Sequence, residues 1–131
     1  MAREKPLILL VDDEPDFLEI VSLKLNASGF ETALARNGKE AVAQSGALAP
    51  DLILMDIHMP GETGTDVALI IKQNPKTKDM KIAFLTSLKD PWPTITADKT
   101  KLSQAMGMED FIEKTEDLDV IVKKVREILA R

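Results

Sequence analysis

Short runs of consecutive apolar residues alternate along the chain with longer segments in which apolar residues recur at helical spacing. Apolar runs of about four to eight residues bounded by turn residues are typical of buried strands in a parallel sheet. The run LILLV, followed at once by DDEP, has this form. The pattern predicts five strands, the second at an edge: Leu7–Val11, Glu31–Ala35, Leu52–Asp56, Lys81–Thr86 and Asp110–Glu113.

Helical spacing and capping residues predict a helix after each strand. Pro15 suits the first turn of a helix, where its missing N–H has no partner, and Gly29 is a typical C-terminal cap. Asn37, with Glu40 three residues on, predicts the start of the second helix. The predicted helices cover Pro15–Ser28, 38 to about 48, 64 to about 73, about 96 to 106, and the segment from Thr115 onwards. The third helix is expected to turn three residues to the core: Val67, Ile70 and Ile71.

Five alternations of strand and helix, with no repeat and no linker, predict an α/β fold. Short right-handed crossovers of this kind build a doubly wound parallel sheet with helices on both faces. The carboxyl ends of all strands then meet at one edge, where open α/β sheets bind their ligands. Five polar residues that are far apart in the sequence are expected there: Asp12, Asp13, Asp56, Thr86 and Lys114.

Composition narrows the range of functions. The 131 residues suffice for one domain with a single core, and the chain has no cysteine, which excludes disulfides and thiolate metal sites. With 22 acidic and 17 basic residues the net charge is −5, which argues against direct contact with nucleic acid or an anionic membrane. No apolar segment is long enough to span a membrane. We expect a cytoplasmic protein.

The acidic residues at the predicted sheet edge favour a divalent cation. Three neighbouring carboxylates repel one another, and a hard cation such as Mg²⁺ removes that conflict. We expect Asp13 and Asp56 to bind Mg²⁺ directly and Asp12 to bind through water, with the backbone carbonyl of His58 as a further ligand. The alternative for Asp12 and Asp13 is that they cap the helix that follows.

A carboxylate beside a cation, a hydroxyl and an ammonium can also accept a phosphoryl group. Asp56 would act as the nucleophile, Lys114 would neutralise the non-bridging oxygens, and Thr86 would donate a hydrogen bond to one of them. The product would be an aspartyl phosphate. A solvated surface lysine and an ordinary strand threonine are the simpler interpretations of Lys114 and Thr86.

Four segments carry a resemblance to a known family. VDDEP, LILMDIHMPGETG, FLTS and MEDFIEK, in this order and spacing, resemble the receiver domain of two-component response regulators. The resemblance covers nearly the whole chain. It implies a flavodoxin-like sheet with strand order 2-1-3-4-5 and five helices, as in the chemotaxis member of that family.

The resemblance also implies roles for individual residues. Asp56 would be the phosphoacceptor, Asp12 and Asp13 the metal pair, Lys114 the phosphate-binding lysine, and Thr86 and Phe111 the switch residues. A histidine kinase or a histidine phosphotransfer protein would donate the phosphoryl group. The domain would be a signalling switch that catalyses its own phosphorylation and dephosphorylation, rather than a conventional enzyme. The side chain of the only histidine, His58, would at most modulate the lifetime of the phosphoryl group.

Two features depart from the family pattern. Thr115 stands where proline usually follows the lysine through a cis peptide bond. Because a cis bond before a non-proline residue costs about 2.5–4 kcal/mol, we expect a trans link there. Residues 87–102, SLKDPWPTITADKTKL, place two prolines around Trp92, so the fourth helix is expected to be delayed, shortened or displaced. Trp92 is a candidate partner contact, with packing against the sheet edge as its alternative.

Other functions fit less well. A haloacid dehalogenase-type phosphatase carries an Asp-x-Asp pattern after its first strand, and a flavodoxin carries a hydroxyl- and glycine-rich loop there; this chain has neither. A receiver-like interaction module that signals without phosphorylation remains the main alternative. The sequence predicts one receiver domain over 1–131 without an output domain, and it leaves homodimerisation and the downstream partner open.

Overall fold

The computed structural model describes residues 4–59, 61–86, 110–114 and 117–131. Its main sheet contains five parallel strands: β1 (Leu7–Val11), β2 (Glu31–Ala35), β3 (Leu52–Asp56), β6 (Lys81–Thr86) and β7 (Asp110–Glu113). Two short strands between β3 and β6, namely β4 (His58–Met59) and β5 (Glu62–Thr63), form a separate hairpin. The spatial order of the five parallel strands is β2-β1-β3-β6-β7, which is equivalent to the predicted 2-1-3-4-5. All five predicted strands are therefore confirmed, with the predicted bounds and order.

Four helices are described: α1 (Pro15–Ala27), α2 (Gly38–Leu48), α3 (Gly64–Gln73) and α4 (Leu118–Leu129). Helices α1 and α4 cover one face of the sheet, and α2 and α3 cover the other. The predicted helix over about 96–106, the whole 87–102 segment with Trp92, and Thr115 with its peptide link lie outside the described residues. None of the helices in the described ranges is long and apolar enough to cross a membrane.

The three inner strands, β1, β3 and β6, are buried on both faces, which explains their unbroken apolar runs. In β1, Ile8 and Leu10 pack with α1 and α4, whereas Leu9 and Val11 pack on the side of α2 and α3. Successive side chains of a strand point to opposite faces, so a strand between two helical layers needs an apolar residue at every position. The same alternation continues through β3 and β6, and the apolar runs end where the strands leave the two cores.

Helix α1 begins at Pro15, as predicted, and ends one residue before the predicted Ser28. Gly29 follows with φ of 98°, a left-handed conformation that glycine adopts without steric cost. This turn lets the Phe30 N–H donate a hydrogen bond of 3.0 Å to the Leu25 carbonyl. Gly29 is therefore the C-terminal stop that the sequence predicts.

The predicted N-terminus of α2 is confirmed. The Asn37 side chain accepts a hydrogen bond of 2.9 Å from the Glu40 N–H. The Glu40 carboxylate in turn accepts a hydrogen bond of 3.0 Å from the Asn37 side-chain amide. A full capping box would place that carboxylate on the backbone N–H of the N-cap residue. In this chain the two side chains bind each other instead.

Two expectations for the helices are wrong. Ile70, predicted to face the core, is 52% exposed, because α3 turns its other face to the core through Gly64, Val67, Ala68 and Ile71. Position 70 lies about 100° around the helix from position 71. The last helix begins at Leu118 rather than at Thr115, since the Asp117 side chain accepts a hydrogen bond from the Asp119 N–H and caps it there.

A short hairpin after β3 was not predicted. Strands β4 (His58–Met59) and β5 (Glu62–Thr63) pair antiparallel and form a separate two-stranded sheet. Strands this short have no readable alternation of apolar and polar residues. The hairpin leads the chain from the end of β3 into α3.

Gly64, at the start of α3, lies against the end of β3. Its N–H donates a hydrogen bond of 2.7 Å to the Ile57 carbonyl. A Cβ atom at position 64 would lie 2.0 Å from the Asp56 carbonyl oxygen, which is backbone and has little room to move. Glycine at this position therefore allows α3 to approach the strand that carries Asp56.

We predict that Gly64→Ala destabilises the protein, whereas Gly46→Ala does not. Overpacking in a close contact costs about 1–3 kcal/mol. Gly46 is an exposed position of α2 with nothing within 4 Å of an added Cβ atom, so alanine there should raise the free energy of unfolding by up to about 1 kcal/mol. Urea denaturation of both variants measures this. Equal effects of the two substitutions would contradict the close approach at Gly64.

Candidate functional site

The carboxyl ends of four parallel strands bring the predicted polar residues together. Asp12 follows β1, Asp56 ends β3, Thr86 ends β6, and Lys114 follows β7. The register holds these ends level: Val11 lies opposite Met55, Asp56 opposite Leu85, and Thr86 opposite Glu113. The site is therefore assembled by the sheet, although its members are up to about a hundred positions apart in the sequence.

Three carboxylates form the centre of the site. Asp12, Asp13 and Asp56 each offer an oxygen, and these three oxygens lie within 4.8 Å of one another. Asp12 and Asp56 are buried, at 0% and 2% exposure, whereas Asp13 is exposed. The Asp56 Oδ1 atom accepts a hydrogen bond of 3.3 Å from the His58 N–H.

Asp12 is held by the turn that follows it. Its Oδ1 atom accepts a hydrogen bond of 2.9 Å from the Glu14 N–H, and its own N–H donates to the Ala35 carbonyl. The N-cap residue of α1 is Glu14, and it makes no side-chain capping bond. The alternative that Asp12 or Asp13 is the N-cap of this helix is therefore wrong, although Asp12 does order the turn before it.

Lys114 supplies the positive charge of the site. Its Nζ atom lies 2.7 Å from Asp12 Oδ2, 2.8 Å from Glu14 Oε1 and 3.5 Å from Asp56 Oδ1. Its side chain is 10% exposed, and its backbone N–H donates a hydrogen bond of 2.7 Å to the Thr86 carbonyl. Lys114 is thus an enclosed lysine rather than a solvated one.

Burial raises the pKa of both enclosed carboxyl groups. For Asp56, desolvation and the charge of Asp12 outweigh the attraction of Lys114 and raise the pKa to about 7. For Asp12, desolvation raises the pKa even though the contact with Lys114 opposes it. The Lys114 ammonium is therefore not enough to keep both carboxylates fully ionised near neutral pH.

The pKa of Lys114 moves in the direction that favours the ammonium. Burial alone lowers it, but the contacts with Asp12 and Glu14, together with the charge of Asp56, outweigh burial and raise the pKa above its ordinary value. Lys114 therefore stays protonated throughout the neutral range.

The cluster has the chemistry of a magnesium site. All its side-chain donors are carboxylate oxygens, which Mg²⁺ prefers. Asp12 Oδ2 is buried, and among the described residues its near partner is the Lys114 ammonium at 2.7 Å. A cation would give this oxygen a second positive partner and would offset the excess negative charge. The residues therefore fit the ion that the sequence predicts.

Of the remaining predicted residues, three lie within the described part of the chain: Thr86, Phe111 and His58. Thr86 is 1% exposed at the end of β6. Phe111 in β7 is 7% exposed, and its ring centroid lies 5.5 Å from that of Phe84. His58 is exposed at the start of β4, while Trp92 falls outside the described residues. In this structure the Phe111 ring is thus packed inward.

Glu14 joins the site, which the sequence analysis did not predict. Its carboxylate contacts the Lys114 ammonium across 100 positions of sequence. The sequence did contain one signal for this position: Glu14 stands between Asp13 and Pro15. The residue before proline favours an extended conformation, which keeps Glu14 outside the helix and near the end of β1. The contact partner itself has no local signature.

Comparison with known proteins identifies the family of the chain. The family model for the response regulator receiver domain matches residues 8–126. The chain is 32% identical over 124 residues to the DNA-binding response regulator MtrA of Mycobacterium tuberculosis, covering 95% of this chain and 50% of MtrA. It is 31% identical over 124 residues to the phosphate regulon regulatory protein PhoB of Pseudomonas aeruginosa, covering 95% and 52%. The chain thus spans about half the length of these curated relatives.

Solved structures show the same fold. The chemotaxis protein CheY4 of Vibrio cholerae matches with a TM-score of 0.81 at 25% identity, over 95% of this chain and 98% of that one. The signal receiver domain of a histidine kinase from Syntrophus aciditrophicus matches with a TM-score of 0.79 at 31% identity, over 95% and 90%. With the family match and the flavodoxin-like strand order, this chain belongs to the receiver domain family of two-component response regulators.

Proposed function

We propose that this receiver domain accepts a phosphoryl group on Asp56 from a phosphohistidine of a histidine kinase or a histidine phosphotransfer protein. The observation that carries the proposal is the cluster of three carboxylates, Asp12, Asp13 and Asp56, at the end of the sheet. The Lys114 ammonium lies beside two of them, Asp12 and Asp56. A nucleophilic carboxylate next to groups that neutralise phosphoryl oxygens is the arrangement that phosphoryl transfer requires.

In the proposed step an Asp56 carboxylate oxygen attacks phosphorus. A new P–O bond forms while the P–N bond to the donor imidazole breaks, and the electron pair of that bond returns to the ring nitrogen. If the other ring nitrogen carries a proton, the imidazole leaves as a neutral group. Attack of water on the same phosphorus would later release inorganic phosphate and restore the carboxylate.

Mg²⁺ would be held by Asp12, Asp13, Asp56 and the backbone carbonyl of His58. When bound, it supplies positive charge beside the phosphoryl oxygens. The ionised form of Asp56 is the nucleophile, and nearby positive charge lowers the pKa of that carboxyl group from its raised value. Lys114 would bind a non-bridging phosphoryl oxygen from its place between β7 and α4.

Phosphorylation would act as a switch through Thr86 and Phe111. A phosphoryl group adds about 1.5–2 negative charges and acceptor oxygens, which attract the Thr86 hydroxyl and the Lys114 ammonium. The hydrogen bond from the Lys114 backbone N–H to the Thr86 carbonyl would couple the movements of these two residues. Because Phe111 lies on β7 beside Phe84 of β6, movement at the ends of these strands would bias the packing of its ring.

The partners and location belong to the same proposal. We infer that residues 1–131 form one receiver domain that acts in the cytoplasm on a downstream protein. MtrA is described as DNA-binding, but this chain spans half of its length. The net charge of −5 supports our inference that these 131 residues do not contact nucleic acid directly. Trp92 remains our candidate for a partner contact.

We predict that incubation with acetyl phosphate and Mg²⁺ adds one phosphoryl group to the protein. Asp56→Asn removes the nucleophile and should abolish the gain, and a chelator should do the same. Asp16→Asn, which neutralises an exposed carboxylate in the first turn of α1, is the matched control and should keep the gain. Intact mass spectrometry measures all four cases.

Absence of a phosphoryl gain in the folded wild-type protein would contradict the proposal. It would favour the alternative of a receiver-like interaction module that signals without phosphorylation. If Asp56→Asn still gained a phosphoryl group, the phosphoacceptor would be a residue other than Asp56.

We also predict that Mg²⁺ stabilises the fold through Asp13. A ligand that binds only the folded state at about 100 times its Kd adds about 2.7 kcal/mol. Asp13→Asn should remove most of this gain, whereas Asp16→Asn should keep it, because both positions are exposed but only Asp13 belongs to the cluster. Thermal unfolding with and without Mg²⁺ measures the difference, and equal responses of the two variants would exclude Asp13 as a ligand.

A further inference from the structure

Among the described residues, the Lys114 ammonium has three carboxylate neighbours, and Asp56 is the most distant of them. Its Nζ atom lies 2.7 Å from Asp12 Oδ2 and 2.8 Å from Glu14 Oε1, compared with 3.5 Å from Asp56 Oδ1. The contact with Glu14 is a hydrogen bond that Lys114 donates. In this structure the ammonium is therefore closer to Glu14 than to the side chain whose phosphoryl group it is proposed to bind.

The position of Glu14 is set by the local backbone. Pro15 disfavours a helical conformation at the preceding residue, and Glu14 has φ of −93° and ψ of 105°. Its N–H donates to Asp12 Oδ1, which fixes the turn between β1 and α1. These two constraints hold the base of the Glu14 side chain beside the end of β7, where Lys114 lies.

Phe17 completes the surroundings of the ammonium. It lies one helical turn after Glu14, and its ring centroid is 5.0 Å from the Lys114 Nζ atom, which is within the range of a cation–π contact. Phe17 itself packs against the buried cluster formed with α1 and α4. Glu14 and Phe17 thus contact the ammonium from α1 and its N-cap, whereas Asp56 contacts it from β3.

We propose that Glu14 is a positioning residue that competes with the phosphorylation site for Lys114, holding the ammonium toward α1 while Asp56 is unmodified. The inference rests on the proposed function, since it concerns the access of Lys114 to a phosphoryl group on Asp56. To bind a phosphoryl oxygen, the ammonium must give up part of its contact with Glu14. Only the fraction of molecules in which the ammonium has left Glu14 is competent for phosphoryl transfer to Asp56.

The competition is expected to be modest, because the Glu14 side chain is 63% exposed. Ion pairs of exposed side chains are weak, so the paired and released positions differ in population by a small factor. When only a fraction of molecules is competent, the apparent rate falls by that fraction. Removing the Glu14 charge should therefore raise the rate of phosphorylation about two- to fivefold.

The test is the rate of phosphoryl uptake from acetyl phosphate at saturating Mg²⁺, followed by intact mass. Glu14→Gln should be about two- to fivefold faster than wild type. Asp16→Asn removes the same charge two residues away, and in the described part of the chain it forms no ion pair with Lys114, so it reports the general effect of charge. In a Lys114→Met background, the Glu14→Gln effect should shrink to that of Asp16→Asn.

A second readout follows the contact itself in the unmodified protein. The ε-methylene protons of Lys114 lie near the Phe17 ring, whose ring current shifts their NMR signal. The Lys114→Met variant assigns this signal by its loss. Glu14→Gln should move it, whereas Asp16→Asn should leave it in place.

The outcomes separate this inference from the proposed function. Phosphorylation of wild type with equal rates for Glu14→Gln and Asp16→Asn would overturn the competition and leave the proposed function standing. A Glu14→Gln effect that persists in the Lys114→Met background would overturn it as well, because the effect would not pass through Lys114. No phosphorylation of wild type would overturn the proposed function and this inference together.

Discussion

At the carboxyl edge of the sheet, the buried carboxylates of Asp12 and Asp56 share one ammonium of the described residues, that of Lys114. Removing charged groups from water costs several kcal/mol for each ion, and one ammonium cannot compensate two carboxylates. The raised pKa values of both carboxyl groups express this imbalance. A site that lowers stability in this way is typical of functional positions, because the unbalanced charge is what a cation and a phosphoryl group can use.

The apolar packing of the fold holds the charged groups of the site close together. Each of Asp56, Thr86 and Lys114 stands at the end of a different buried strand, so the apolar packing of the two cores sets their separations. The bond from the Lys114 N–H to the Thr86 carbonyl and the close approach of Gly64 to Asp56 fix the ends of these strands. The energy of burial elsewhere thus maintains an arrangement that would not form by itself.

The sequence predicted what local patterns encode. Apolar runs predicted β1, β3 and β6, the alternation of strands with helices placed β2 and β7, and Gly29 and Asn37 predicted helix ends through their own conformational preferences. Features that depend on distant partners were missed. The exposure of Ile70 and the contact between Glu14 and Lys114 are set by tertiary packing. The residues of the site were found because parallel strands bring their carboxyl ends to one edge, and the family resemblance then supplied their roles.

The charge imbalance itself can be measured by the titration of the Asp56 carboxyl carbon in NMR, with Asp56→Asn to assign the signal. We predict a midpoint near 7 without Mg²⁺ and a lower midpoint with it. Because the folded state holds this proton more tightly than the unfolded state, the free energy of unfolding should fall as the pH rises from about 4 to about 7. A midpoint near 4 without Mg²⁺, with stability that does not fall over this range, would contradict the account.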